Sequence, residues 1–137
     1  AEHLARLQLA DLFLDTLPFN AGATASDALW AGVPVLTCAG RAFSARMAGS
    51  LLRALGLPEL ITGSLAAYEA RALELAANPA ALGELRTRLA SNRMTHPLFD
   101  TGRFTRHLEQ AYLAMQQRVD AGLPPDHLVI SGDPSPA

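Results

Sequence analysis

Asp11-Leu-Phe-Leu-Asp-Thr-Leu-Pro-Phe-Asn20-Ala-Gly-Ala-Thr-Ala-Ser-Asp27-Ala-Leu-Trp-Ala-Gly-Val-Pro-Val-Leu-Thr37 sets the architecture of this chain. Residues 11–15 are a short apolar run bounded by acids, which reads as a buried strand. Residues 16–23 carry Pro18, Asn20 and Gly22 and read as a loop. Residues 24–31 form a short helix that Gly32 stops at the position just past its end. Residues 33–37 are a second strand, with Pro34 tolerated near its start. Strand, loop, helix and strand in such close succession are a compact βαβ unit with a parallel pair, so the expected fold class is α/β.

Outward from this unit the chain is mainly helical. Residues 2–10 already read as a helix in progress with no cap before it, as expected of a piece of a larger protein. Downstream, Phe43, Met47, Leu51 and Leu55 recur every four residues until Gly56, and Leu60-Ile61 can form a very short strand. Leu65, Tyr68, Ala72 and Leu75 mark another helix, and Asn78-Pro79 supplies an N-cap and a proline at the first helical position for one carrying Leu82, Leu85 and Leu89. Asp100 caps the last helix, where Phe104, Leu108, Ala111, Tyr112, Met115 and Val119 share a face. Residues 1–123 are thus expected as one body and 124–137, rich in Gly and Pro, as a loose tail.

Composition narrows the function classes. The chain has 137 residues, a formal charge of −2, 50% hydrophobic and 18% charged residues. That composition suits a globular core, and the near-neutral charge argues against a nucleic-acid binder working by phosphate neutralisation. All 11 basic residues are Arg, which removes lysine Schiff-base and P-loop chemistry. Cys38 is the single cysteine, which excludes a disulfide framework and a multi-thiolate zinc site and suits a small buried hydrophobe. No apolar run approaches a membrane span, so a soluble protein of a reducing, cytoplasmic compartment is expected, without a membrane partner. His96 and His107 lack metal-ligand spacing, Arg41 and Arg46 read as solvated, and Trp30 is expected in the core.

The functional signal lies between Asn20 and Asp27. In a parallel sheet, ligands sit beyond the carboxyl ends of the strands. There, Gly22, Ala23 and Thr24 would let a ligand approach the backbone, and the first amides of the following helix offer an anion site. Asp27 could accept hydrogen bonds from a ribose diol. An alternative stands beside this: Thr24-Ala-Ser-Asp27 fits a capping box, in which both side chains only satisfy backbone donors. His3 and Arg6, three apart on the opening helix, would lie at the same edge and could stack on a base or pair with phosphate; the alternative for them is a solvated face.

Leu14-Asp-Thr-Leu-Pro-Phe-Asn20, Thr24-x-x-Asp27-x-Leu-Trp-Ala-Gly-Val-Pro34, Pro97-Leu-Phe-Asp100, Leu108-Glu109-x-x-Tyr112 and Gly122-x-x-Pro-Asp126-His127 together resemble the C-terminal catalytic lobe of O-linked N-acetylglucosamine transferases. The resemblance implies a GT-B glycosyltransferase with two Rossmann-like lobes, of which this chain is part of the second and incomplete alone. It implies inverting transfer of N-acetylglucosamine (GlcNAc) from UDP-GlcNAc to Ser or Thr hydroxyls of proteins. The sugar nucleotide is a substrate, and neither a cofactor nor a metal is expected. The partners it implies are UDP-GlcNAc, a protein or peptide acceptor, the other catalytic lobe and upstream tetratricopeptide repeats. Carried over residue by residue, Gly22, Ala23 and Thr24 receive the diphosphate, Asp27 the ribose, and His3 and Arg6 the uridine. Animal members have His-Thr-Thr where this chain has Gly22-Ala23-Thr24, so two side-chain contributions give way to backbone amides. The family's diphosphate-facing lysine and its candidate catalytic histidine fall outside these residues, so no catalytic residue is expected in this segment. Two other classes remain open: a GT-B enzyme with another sugar nucleotide or acceptor, and a non-enzymatic interaction module.

Overall fold

The computed structural model describes residues 2–130. It contains six helices and three strands among the described residues: α1 (Glu2–Leu7), β1 (Phe13–Leu14), α2 (Ala23–Trp30), β2 (Val35–Cys38), α3 (Met47–Ala54), β3 (Ile61–Thr62), α4 (Leu65–Ala77), α5 (Pro79–Thr95) and α6 (Thr101–Asp120). Short 3-10 turns occupy Ser44–Arg46, Pro58–Leu60 and Pro97–Phe99. The chain divides into two compact units, residues 1–98 and 99–137.

The first unit is a parallel three-stranded sheet of order β1-β2-β3, flanked by helices. The α/β expectation is met. β2 is the centre, with Phe13 opposite Val35, Leu14 opposite Leu36, Thr37 opposite Ile61 and Cys38 opposite Thr62. All four of its residues are buried, the continuous burial of a strand covered on both faces. α2 contributes Ala25, Ala28 and Leu29 to the core, α3 contributes Ala48 and Leu52, and α4 and α5 contribute Leu75, Leu85 and Leu89.

The strands are shorter than the apolar runs suggested. β1 keeps two residues of the expected 11–15, and the second strand runs Val35–Cys38 rather than 33–37. Gly32 does stop α2, with φ +87. Trp30 is a correction: it is 44% exposed, because it ends α2 on the outward side, where the Arg93 guanidinium lies 5.4 Å from its ring centroid. Phe43 is another. It precedes the 3-10 turn rather than joining a four-residue helical repeat, and it is exposed. The expected caps of Asn78 and Asp100 both form, through the amides of Ala81 and Arg103.

α5 ties the unit together through polar side chains. Arg93 donates to the carbonyl of Trp30, the last residue of α2. Asn92 Nδ2 donates to Leu55 O at 2.7 Å and Arg88 to Gly56 O at 3.2 Å, both just past the end of α3. These donors meet helix-terminal carbonyls that have no intrahelical partner.

In the second unit, α6 buries none of its residues. Phe104, Tyr112, Met115 and Val119 of its expected apolar face are all at least half exposed. Arg118 donates to Pro124 O through Nε at 3.0 Å and Nη2 at 2.8 Å, and reaches Asp126 at 3.3 Å, so it holds the start of the irregular segment 124–130. The rest of the expected tail, residues 131–137, lies outside the described residues.

Candidate functional site

The loop between β1 and α2 leaves the sheet at the carboxyl edge. It is built on Asp15, which is 4% exposed. One carboxylate oxygen accepts from the amide of Thr16 at 2.8 Å and from that of Ala21 at 2.7 Å; the other accepts from the Thr37 hydroxyl at 2.6 Å. Asn20 is also buried, donating through its amide to Ser44 O and through Nδ2 to Thr16 O, while its side-chain oxygen has no partner. The Tyr68 hydroxyl, from α4, donates to the carbonyl of Asp15 at 3.0 Å. Burial raises the Tyr68 pKa above the usual phenol value, and the nearby Asp15 and Cys38 push it the same way.

This loop delivers α2 with Gly22 as its N-cap residue and no side-chain cap. The first intrahelical bond runs from Ser26 N to Gly22 O, so the amides of Ala23, Thr24 and Ala25 have no carbonyl within the helix. Ala23 and Thr24 are exposed. The capping-box alternative is therefore corrected. Thr24 is the second residue of the helix, not its cap, and Asp27 turns its carboxylate to His3 instead of back to the helix start. Glycine at position 22 has a negative φ and the nearest atom to an added Cβ would be Met47 Cγ at 3.5 Å, so neither strain nor crowding demands it.

α1 brings the other two candidates. His3 Nε2 lies 3.4 Å from Asp27 Oδ2, with both side chains about half exposed. Arg6, one turn further along the same helix, is exposed and lines with His3, Glu2, Ala5 and Leu9 a surface hollow of about 580 Å³. His3 and Asp27 are thus joined directly, Arg6 shares a hollow with His3, and Gly22, Ala23 and Thr24 are consecutive at the head of α2. Asn20 opens the segment singled out in the sequence, whereas the supporting roles of Asp15 and Tyr68 carry no signal of that kind. For Asp15 the sequence signal is an acid just past an apolar strand, which the register of Leu14 with Leu36 sets opposite Thr37 of β2.

Comparison with known proteins then places the chain. The family model for glycosyl transferase family 41 matches residues 1–108. A probable UDP-N-acetylglucosamine–peptide N-acetylglucosaminyltransferase, SEC, of Arabidopsis thaliana is 41% identical over 131 residues, covering 95% of this chain and 13% of that protein. The UDP-N-acetylglucosamine–peptide N-acetylglucosaminyltransferase of Caenorhabditis elegans is 35% identical over 127 residues, or 93% of this chain and 11% of that protein. Among solved structures, a mutant O-GlcNAc transferase of Thermobaculum terrenum superposes with a TM-score of 0.78 at 38% identity, covering 83% of this chain and 22% of the other. The chain spans about an eighth of the length of these curated relatives. A match over most of the chain, in sequence and in fold, has one consequence: this chain belongs to glycosyl transferase family 41.

Proposed function

We propose that this chain is the donor-holding part of a protein glycosyltransferase that transfers N-acetylglucosamine from UDP-GlcNAc to Ser or Thr hydroxyls, with inversion at the anomeric carbon. The observation that carries the reading is the convergence at one sheet edge of the uncapped α2 head, the exposed Thr24 hydroxyl and the His3–Asp27 pair. In this reading Gly22, Ala23 and Thr24 receive the diphosphate, with the amides of Ala23 and Thr24 facing it, Asp27 takes the ribose hydroxyls, and His3 and Arg6 hold the uracil end. Names of the relatives point to the same donor and to a peptide acceptor.

The chemistry asked of these residues is electrostatic. An acceptor hydroxyl attacks the anomeric carbon, the bond from that carbon to the β-phosphate oxygen breaks, and the electron pair leaves on UDP. The hydroxyl proton passes to a base outside this segment. Pre-oriented amides at a helix head stabilise charge that grows on the departing phosphate, and they need no reorganisation as it grows. A metal ion is not required in this scheme, so the full enzyme is expected to retain activity in a chelator. Cytoplasmic localisation and upstream helical repeats belong to the same reading; among the described residues no helix is long and apolar enough to cross a membrane.

Calorimetry with UDP on the full-length protein tests the site. A Thr24→Ala, Asp27→Ala double variant of unchanged melting temperature should bind UDP at least about tenfold more weakly, the loss expected for two polar contacts. Equal affinity for both proteins would remove the assignment. Mass spectrometry of acceptor peptides incubated with UDP-GlcNAc tests the reaction: a mass increase of one N-acetylhexosamine on Ser or Thr is the expected result.

A further inference from the structure

We propose that Asp15 is the positioning residue of the donor site: it touches no ligand, but its carboxylate sets the placement of the α2 head by clamping both ends of the loop that leads into it. The inference rests on the UDP reading of that head. A single oxygen of Asp15 takes the amide of Thr16, where the loop begins, and that of Ala21, where it ends one residue before Gly22. Its other oxygen is fixed at 2.6 Å by the hydroxyl of Thr37, itself fully buried on the central strand. Thr37 is held in turn, since its carbonyl accepts from the Thr62 hydroxyl of β3 at 2.9 Å. The Asp15 carbonyl accepts from Tyr68 of α4. The loop entry is therefore referenced to β2, β3 and α4, and the loop exit to the same carboxylate.

This arrangement differs from a merely structural buried acid. With three donors on its two oxygens and 4% exposure, Asp15 is closed off from a ligand. Loop closure by one atom couples the Ala21 amide, and through it the first amides of α2, to the rigid sheet. Small errors in the placement of such donors weaken interactions with a fixed anion steeply. Within the loop, Thr16 Oγ1 donates to Phe19 O at 2.7 Å and Asn20 Nδ2 to Thr16 O at 3.1 Å, and outside it the Asn20 amide donates to Ser44 O at 3.0 Å, while the side-chain tie to β2 is the one from Asp15 to Thr37.

The test uses four full-length proteins: wild type, Asp15→Ala, Asp15→Asn, and Val33→Ala as a control for loss of stability at a buried position away from the loop. Asparagine keeps one acceptor oxygen for the two amides and turns its nitrogen to the Thr37 hydroxyl, which can accept. UDP titration and amide hydrogen exchange at residues 21–25 are measured for each. The expected result is a UDP affinity lowered roughly tenfold in Asp15→Ala, restored to within about threefold in Asp15→Asn, and unchanged in Val33→Ala, because orphaned amides shift while an asparagine still pairs them. Exchange at 21–25 should rise in Asp15→Ala alone. A wild type that binds UDP while Asp15→Ala binds it equally well overturns the positioning role and leaves the site reading intact. Equal losses in Asp15→Ala and Val33→Ala also overturn it, since stability would then account for both. A wild type that binds no UDP overturns the site reading and this inference with it.

Discussion

Gly56 shows how one residue carries a constraint that no composition count reveals. It follows α3 with φ +67, and a Cβ built there would stand 2.6 Å from His96 Nε2 and 3.3 Å from Asn92 Nδ2. In the sequence the glycine marks a helix stop; its second duty, admitting the end of α5 against the end of α3, depends on contacts 36 to 40 positions away. Gly56→Ala should cost about 1–3 kcal/mol, combining a left-handed conformation for an L residue with displacement of the His96 ring. Urea unfolding of wild type and variant measures it, and a change under about 0.5 kcal/mol would contradict the packing described. The same distinction separates the residues that sequence made legible at the candidate site from those it did not. Thr24 and Asp27 could be singled out because helix-head chemistry is local. Whether they capped the helix or faced outward was settled only by Gly22 taking the cap position and by His3 arriving from α1.

At the scale of elements, α4 reaches the loop through Tyr68, and this link has a pH signature. The Tyr68 phenol is held neutral by burial first and by Asp15 and Cys38 second, so its folded pKa lies above the unfolded value. A group raised in this way gives stability that is fully present below about pH 10 and is lost as the pH rises through the folded value, because the unfolded chain releases the proton first. Tyr68→Phe should be less stable at neutral pH by about 1 kcal/mol, the net worth of the bond to the Asp15 carbonyl. The gap should close at alkaline pH as the wild type alone loses stability. With no lysine in the chain, no side-chain ammonium titrates in that window. Denaturant midpoints that stay a constant distance apart up to pH 11 would refute the argument. Helix existence was legible here, through Asn78, Asp100 and the apolar spacings, because caps and periodicity act within a few residues. Strand length was not. β1 and β3 are two residues each, their extent set by pairing with β2 rather than by their own apolar runs.

Across the whole molecule, burial is distributed unevenly between the two units. Every buried hydrophobic residue among those described falls between Ala25 and Leu89, inside the unit 1–98, while α6 buries none. Sequence periodicity predicted an apolar face on α6, and Phe104, Tyr112, Met115 and Val119 do occupy one stripe, but amphipathicity reports a face and not its cover. The consequence concerns where folding free energy resides. Burying a large aliphatic side chain contributes about 1.5–3 kcal/mol, and the residues that do so here (Leu29, Leu36, Leu52, Leu55, Leu57, Leu60, Leu75, Leu89) all precede Leu98. The three strands and the clamp on Asp15 also lie in that unit. A chain ending at Leu98 should therefore keep a cooperative urea transition, with a midpoint within the shift that about 1 kcal/mol produces, and should keep the protected amides of β2. Hydrogen exchange on the shortened and the 137-residue chains makes the comparison directly. Loss of protection in β2 on removing residues 99–137 would refute this placement of the folding free energy within residues 1–98.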